Sequence, residues 1–304
     1  MKTLTPRAAA SLGAAFALTV SLAGCGGDSG SDGSSASPSA ITAEKVDAVA
    51  ALVPSGIASD GVLTVGTDAS YAPNEFIDTD GETVIGFDAD MAAAIGQVMG
   101  LQTDMQNAPF DSLVEGVKTG KYELSLSSFT INSERLQQVD MVSYFSAGTQ
   151  WATATGNPTG IDPDQACGKR VAVQKATVQA DDITARSQAC VNGGQPAISI
   201  DQYQLQSDAT SAVVNGKDDA MLADSSVIVY AVQQTSGKLE PLGEIYDSAP
   251  YGVVVRKDQG DYTLAVQQAV QSLIDSGVYL QIAQKWGVEQ GVIETAEINP
   301  APAS

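Results

Sequence analysis

The chain has 304 residues, 36 of them acidic and 15 basic, with no histidine and a formal net charge of −21 at pH 7. That length suits two modest domains with a sizeable core. The charge balance argues against nucleic acid, which needs a basic face, and the missing histidine excludes every histidine-based triad, proton relay or metal site.

The first element in chain order is a leader. Lys2 and Arg7 give a positive start, and Ala8 to Val20 form an apolar stretch too short to span a bilayer comfortably. Leu22-Ala23-Gly24-Cys25 follows and resembles a bacterial lipobox, in which the leader is cut before a cysteine that is then lipidated. An ordinary secretory leader with an incidental cysteine is the plainer alternative. The expected boundaries are a signal peptide over 1–24, then a lipidated Cys25 and tether over 25–40. Gly26 to Ala40 is almost all small and polar; such a segment buries no core and reaches roughly 20 Å r.m.s..

Ile41 to Leu52 has helical apolar spacing and stops at Pro54, so residues 41–60 read as an N-terminal helix and lead-in. Gly61 to Gly66 reads as the first strand, running into a turn-rich segment from Thr67 to Phe76 with two carboxylates and two aromatics. Asp88 reads as a helix cap and Asp90 as a first-turn acid for the helix that continues through Ala92 to Met99. Leu101 to Met105 then reads as a strand, Phe110 to Val117 as a helix entered through Pro109, and Tyr122 to Leu126 as a strand. The order β, α, β, α, β implies a mostly parallel sheet covered by helices, whose ligands sit beyond the carboxyl ends of the strands.

One such end carries Ser127-Ser128-Phe129-Thr130, followed by Ser133 as a candidate N-cap and Arg135 at the mouth of a helix. Hydroxyls, free helix-start N–H groups and a guanidinium fork suit a small carboxylate. Asp68, Tyr71 and Phe110 fall at neighbouring strand ends. The second half repeats the rhythm: strands at Gly168 to Val173, Ala197 to Tyr203, Asp219 to Asp224 and Gly252 to Val255, then amphipathic helices over Leu264 to Ile274 and Tyr279 to Trp286, and a tail over 293–304 frayed from Asn299. With Cys25 lipidated, Cys167 and Cys190 remain, and outside the cytoplasm such a pair reads as a disulfide.

These segments in this order resemble the amino-acid-binding receptors of ABC importers, the extracellular solute-binding proteins of family 3. The residues that carry the resemblance are Gly66 to Pro73, Gly86 to Met91, Ser127 to Thr130 with Arg135, Gly168 to Val173 and Asp219 to Asp224, over about residues 60 to 290. The resemblance implies an α/β, two-lobe periplasmic-binding-protein-like fold of type II, each lobe a mostly parallel sheet flanked by helices. Lobe 1 would span 60–150 plus 250–292 and lobe 2 151–249, with hinge strands crossing near Gly148 to Ala154 and Asp247 to Val253. It also implies ligand-binding roles. Arg135 would grip an α-carboxylate with help from Ser127, Ser128 and Thr130, and Thr177 would meet it from lobe 2. Asp224 would take the α-ammonium, and Asp68, Tyr71 and Phe110 would form the side-chain pocket, the aromatics sandwiching the ligand. Glu75 reads as structural, with Lys175 pointing inward or outward. Ala176 stands where many members have glycine, and Val178 where some have a second hydroxyl, which loosens the case for Thr177.

The function implied is capture of a free amino acid, polar or cationic because a buried Asp68 needs a donor. The receptor would be a monomer, lipid-anchored at Cys25 to the outer face of the bacterial cell membrane, and would deliver its ligand to ABC permease transmembrane subunits, with no cofactor, metal or catalysis. A dehydratase-like enzyme and a sensory ligand-binding module are the alternatives on the same fold.

Overall fold

A computed structural model describes residues 41–302. The expected signal peptide, the expected lipidation at Cys25 and the expected tether lie outside the described residues. In chain order the first half contains α1 (Asp47–Ala50), α2 (Ser55–Ala58), β1 (Val62–Thr67), β2 (Ser70–Tyr71), β3 (Glu75–Ile77), β4 (Val84–Ile85), α3 (Phe87–Met99), β5 (Gln102–Asn107), α4 (Phe110–Thr119), β6 (Leu124–Ser125), α5 (Ser133–Gln138) and β7 (Asp140–Ala154). The second contains β8 (Arg170–Gln174), α6 (Val178–Asn192), β9 (Ser199–Tyr203), α7 (Gln206–Val214), β10 (Ala220–Asp224), α8 (Ser225–Gln234), β11 (Leu239–Val255), α9 (Tyr262–Ser276) and α10 (Val278–Trp286).

Eight strands form one hydrogen-bonded sheet in the order β5-β1-β6-β11-β7-β10-β8-β9. β1 runs parallel to β5 and β6, and β8 runs parallel to β9 and β10. Between these two parallel groups stand β7 and β11, antiparallel to each other along most of their length. The sheet therefore divides into two lobes joined by two long strands. In lobe 1 the residues of α3, α9 and α10 pack one face around Phe87, Leu63 and Tyr279, and Phe110, Leu113 and Val117 of α4 pack the other. In lobe 2, α7 and α8 cover one face and α6 the other. Parallel strands buried on both faces explain the continuous apolar runs VAV and AMLA in β8 and β10.

The expected crossovers at Gly148 to Ala154 and Asp247 to Val253 lie inside β7 and β11. No loop marks the passage between lobes, and the breaks expected at 150/151 and 249/250 fall within strands. The pairing of β7 with β11 loses register at Leu242/Tyr246 and again at Tyr246/Ala249. Asp247 adopts a left-handed φ of 51° there. Gly148 faces this irregular stretch so closely that a β-carbon would stand 2.6 Å from Ile245 and 2.7 Å from Ser248 Oγ.

Several local expectations change. The helix expected over Ile41 to Leu52 shrinks to Asp47–Ala50, and a second single turn follows after Pro54. The segment read as turns between Thr67 and Phe76 contains β2 and β3, which with β4 make a small antiparallel sheet. Asn132, not Ser133, caps α5: its Oδ1 accepts the Arg135 N–H at 2.8 Å. Asp88 is not a cap but lies in the first turn of α3, its carboxylate buried. Asp90 receives Lys285 Nζ at 2.6 Å and Trp286 Nε1 at 2.7 Å, tying α3 to α10. The tail read as frayed is docked instead: Asn299 N–H donates to Met141 O and its Oδ1 accepts the Met141 N–H, both at 2.8 Å.

Cys167 and Cys190 form the disulfide, with α-carbons 5.6 Å apart, in the apolar cluster beneath α6. Closing a loop of 23 residues removes chain entropy worth about 3 kcal/mol. Reduction is expected to lower the melting temperature by roughly 6–12 °C, taking about 2–4 °C per kcal/mol for a domain this large. Calorimetry with and without reductant checks this, and an unchanged transition would contradict it.

Candidate functional site

The parallel strands of both lobes aim their carboxyl ends at one cleft, where side chains and N–H groups converge. All nine residues expected to bind a ligand line a single cavity there, together with Glu75, Gln174, Val178 and Gln179.

Lobe 1 supplies one wall. Asp68 follows β1 directly and is 2 % exposed. Its Oδ1 accepts the Ser70 hydroxyl at 2.6 Å and its Oδ2 the Phe110 N–H at 2.9 Å and Gln174 Nε2 at 3.2 Å. Burial pushes this carboxyl up, and the Ser70 and Phe110 hydrogen bonds oppose it. The Asp68 N–H in turn donates to Ser127 Oγ at 3.0 Å. Ser128 sits at a left-handed φ of 51°, which turns its N–H onto Asp88 Oδ2 at 2.9 Å. The carboxylate read as a cap thus fixes the hydroxyl loop.

Arg135 is half-buried, with its guanidinium 5.5 Å from the Phe110 ring centre and 5.4 Å from that of Phe129. These two rings stack at 4.7 Å. Nη1 of Arg135 donates to Thr130 O at 2.7 Å, and Nη2 reaches across the cleft to Ala176 O at 3.1 Å. Burial pushes its pKa down to about 10, with the Asp224 and Asp181 charges opposing. It remains a cation at neutral pH.

Lobe 2 supplies the facing wall. Thr177 caps α6: its Oγ1 donates to Gln174 O at 2.8 Å and accepts the Ala180 N–H at 3.1 Å. Ala176, just before it, holds a φ of 61°, a left-handed geometry that glycine adopts at less cost. Lys175 is exposed and does not line the cavity. Asp224 ends β10 and stands at the N-cap position of α8, yet its side chain makes no capping hydrogen bond. Instead Oδ2 accepts the Tyr71 hydroxyl at 2.8 Å and Oδ1 accepts Gln179 Nε2 at 3.0 Å. Burial pushes its carboxyl up, and the Tyr71 and Gln179 hydrogen bonds and the Arg135 charge oppose it.

Tyr71 therefore does more than wall the pocket. Its hydroxyl donates to Asp224 Oδ2 and accepts the Asp224 N–H at 3.0 Å, bridging the lobes. Phe110 stacks on Phe129 and lines the same cavity as Tyr71. Gln206 N–H to Ser70 Oγ at 3.1 Å is a further bridge. Glu75, Gln174, Val178 and Gln179 are the lining residues that the expected set lacks. Gln174 could have been found, since it ends β8 as Asp224 ends β10. Chemically, the cavity offers a guanidinium fork and a helix start near one end, a carboxylate opposite, and further carboxylates at Asp68 and Glu75. That set suits a zwitterion with a cationic or polar side chain.

The family model for bacterial extracellular solute-binding proteins, family 3, matches residues 63–289. This chain is a member of that family. As a family 3 solute-binding protein it has well-aligned relatives. It is 38 % identical over 263 residues to the arginine-binding protein ArgT of Corynebacterium glutamicum, covering 86 % of each chain. Among solved structures it is similar to an ancestral arginine-binding protein bound to arginine, with a TM-score of 0.69 and 28 % identity over 74 % of this chain and 98 % of that one. The same comparison holds for an ancestral arginine-binding protein bound to glutamine, with a TM-score of 0.68, 28 % identity, and 75 % and 99 % coverage. Two lobes around a cleft are thus the architecture of this family 3 protein. Among its described residues no helix is long and apolar enough to cross a membrane.

Proposed function

We propose that this protein captures a basic amino acid of the arginine class between its lobes and presents it to an ABC permease. The observation that carries this reading is the placement of Arg135 and Asp224 on opposite walls of one cavity whose remaining charges, at Asp68 and Glu75, are all acidic. The arginine-binding relative supports the same choice. In this reading Arg135 and the α6 start around Thr177 hold the α-carboxylate, Ser128 and Thr130 shape that end, and Asp224 holds the α-ammonium. Asp68 and Ser127 receive the side chain, and Phe110 and Tyr71 form its walls. The lobes move about β7 and β11, with borders near 150/151 and 249/250. The receptor acts as a monomer, and the Leu22 to Cys25 motif supports cleavage and lipid attachment at Cys25, outside the cell membrane.

A thermal-shift panel of the twenty amino acids and their basic analogues tests the ligand class, because a ligand that binds only the folded form raises the melting point. At a hundred times its Kd a ligand adds about 2.7 kcal/mol. Arginine, ornithine or lysine is expected to give the largest shift. A panel in which only neutral or acidic amino acids shift the transition would overturn the reading.

A further inference from the structure

Two carboxyl groups face each other beneath the acidic end of the cavity. Glu75, on β3, is 0 % exposed; its Oε1 accepts the Ser127 hydroxyl at 3.0 Å and its Oε2 the Ser128 hydroxyl at 3.1 Å. Asp88, on α3, is also 0 % exposed, and its Oδ2 accepts the Ser128 N–H and, at 2.7 Å, the Tyr144 hydroxyl. Asp88 Oδ1 is buried with no donor among the described residues. Ser128 draws the two carboxyls together, its hydroxyl on Glu75 Oε2 and its N–H on Asp88 Oδ2. Two ionised carboxylates buried this close repel, whereas one proton shared between them makes a strong O–H···O⁻ bond and gives the orphaned oxygen a partner.

The surroundings assign the proton to this pair. Asp68, the other carboxylate at this end, has three donors on it and needs no proton to complete them. The hydroxyls of Tyr71 and Tyr144 stay protonated, since burial pushes both well up. Asp224 answers Tyr71 and Gln179 across the cleft. Arg135, the one basic side chain lining the cavity among the described residues, is held at Thr130 O and Ala176 O. Burial and the Asp88 charge push Glu75 well above its ordinary value, and burial lifts Asp88 to about 6.

We propose that Glu75 sets the charge specificity of the site by proton exchange, sharing a proton with Asp88 in the free receptor and losing it when a cationic side chain enters. This rests on the basic-amino-acid reading above. The O–H bond of the Glu75 carboxyl breaks and the proton passes to solvent, so the pair gains one negative charge against the one positive charge that arrives. A neutral side chain leaves the proton where it is. Because binding a cation releases a proton, its affinity rises with pH, approaching tenfold per unit over the range in which Glu75 keeps the proton in the free receptor and loses it in the complex. A neutral ligand shows no such slope from this pair.

Titration calorimetry of the full folded receptor at pH 7, in buffers of different ionisation enthalpy, reads the proton directly. L-arginine is the cationic probe and L-citrulline its neutral analogue of equal length. Arginine is expected to release close to one proton and citrulline close to none. Glu75→Gln is expected to abolish the release and weaken arginine tenfold or more, while citrulline changes less than threefold, which also shows that the variant folds. Arginine binding with no buffer-dependent heat, or an unchanged release in Glu75→Gln, overturns the proposal alone. Failure of arginine and every other basic amino acid to bind overturns the functional reading, and the proposal with it.

Discussion

Arg135→Ala is expected to weaken amino-acid binding by roughly 3–5 kcal/mol, on the order of a hundredfold or more in Kd. The reason lies in what the guanidinium leaves behind. A ligand carboxylate enclosed by the Phe110 and Phe129 side of the cleft would lose its only charged partner there and keep its desolvation cost. Arg135→Lys is expected to recover only part of the loss, because a lysine ammonium supplies the charge without the planar fork. The fold should survive, since α5 is held by the Asn132 cap and Arg135 is half-buried rather than a core residue. Calorimetric titration of both variants against wild type decides the matter; unchanged affinity in Arg135→Ala would remove Arg135 from the site.

Asp224→Asn is expected to cost a similar amount, again about 3–5 kcal/mol, by stranding a buried ammonium opposite a neutral amide. It differs from the arginine variant in a second readout. Asp224 also receives the Tyr71 hydroxyl, so its loss touches the contact between lobes as well as the ligand. Tyr71→Phe separates the two effects: it removes the bridge and keeps the carboxylate. If Tyr71→Phe binds within about tenfold of wild type while Asp224→Asn loses a hundredfold, the ammonium is the main partner of Asp224. Equal losses in the two variants would instead assign Asp224 to lobe contact.

The alternation of strands and helices was legible because the parallel strands are short apolar runs ending in turn residues, as in VAVQ and AMLAD. The two long strands were not. β11 is largely exposed or half-exposed from Glu240 to Ser248 and slips register three times, so neither a period of two nor a continuous apolar run marks it. The lining residues Asp68, Ser127, Arg135 and Asp224 stood out as charges and hydroxyls at strand ends. Gln174 and Gln179 carry no charge, and their importance comes only from what they face across the cleft. Glu75 carries little local signal because β3 is three residues long and looks like part of a turn. Its neighbours Ser127 and Asp88 are distant in sequence, so no local pattern announces the buried pair. The tail misled for a related reason: Asn299 finds its partner Met141 more than a hundred and fifty residues earlier.

The path of the chain through β7 and β11 also orders its assembly. Residues 155–238, which lie between those two strands, form one unbroken stretch holding β8, β9 and β10 with α6, α7 and α8. Their lobe completes its parallel pairs while β11, α9 and α10 are still to be synthesised. Lobe 1 has the opposite history: its core waits for Tyr262, Leu273 and Tyr279 to arrive and pack against Phe87 and Ile95. Contacts that span so much chain are slow to form, and domains tend to fold as units during synthesis. The middle of the chain is therefore expected to fold ahead of lobe 1, and β7 to keep an unpaired edge toward lobe 1 until β11 is translated.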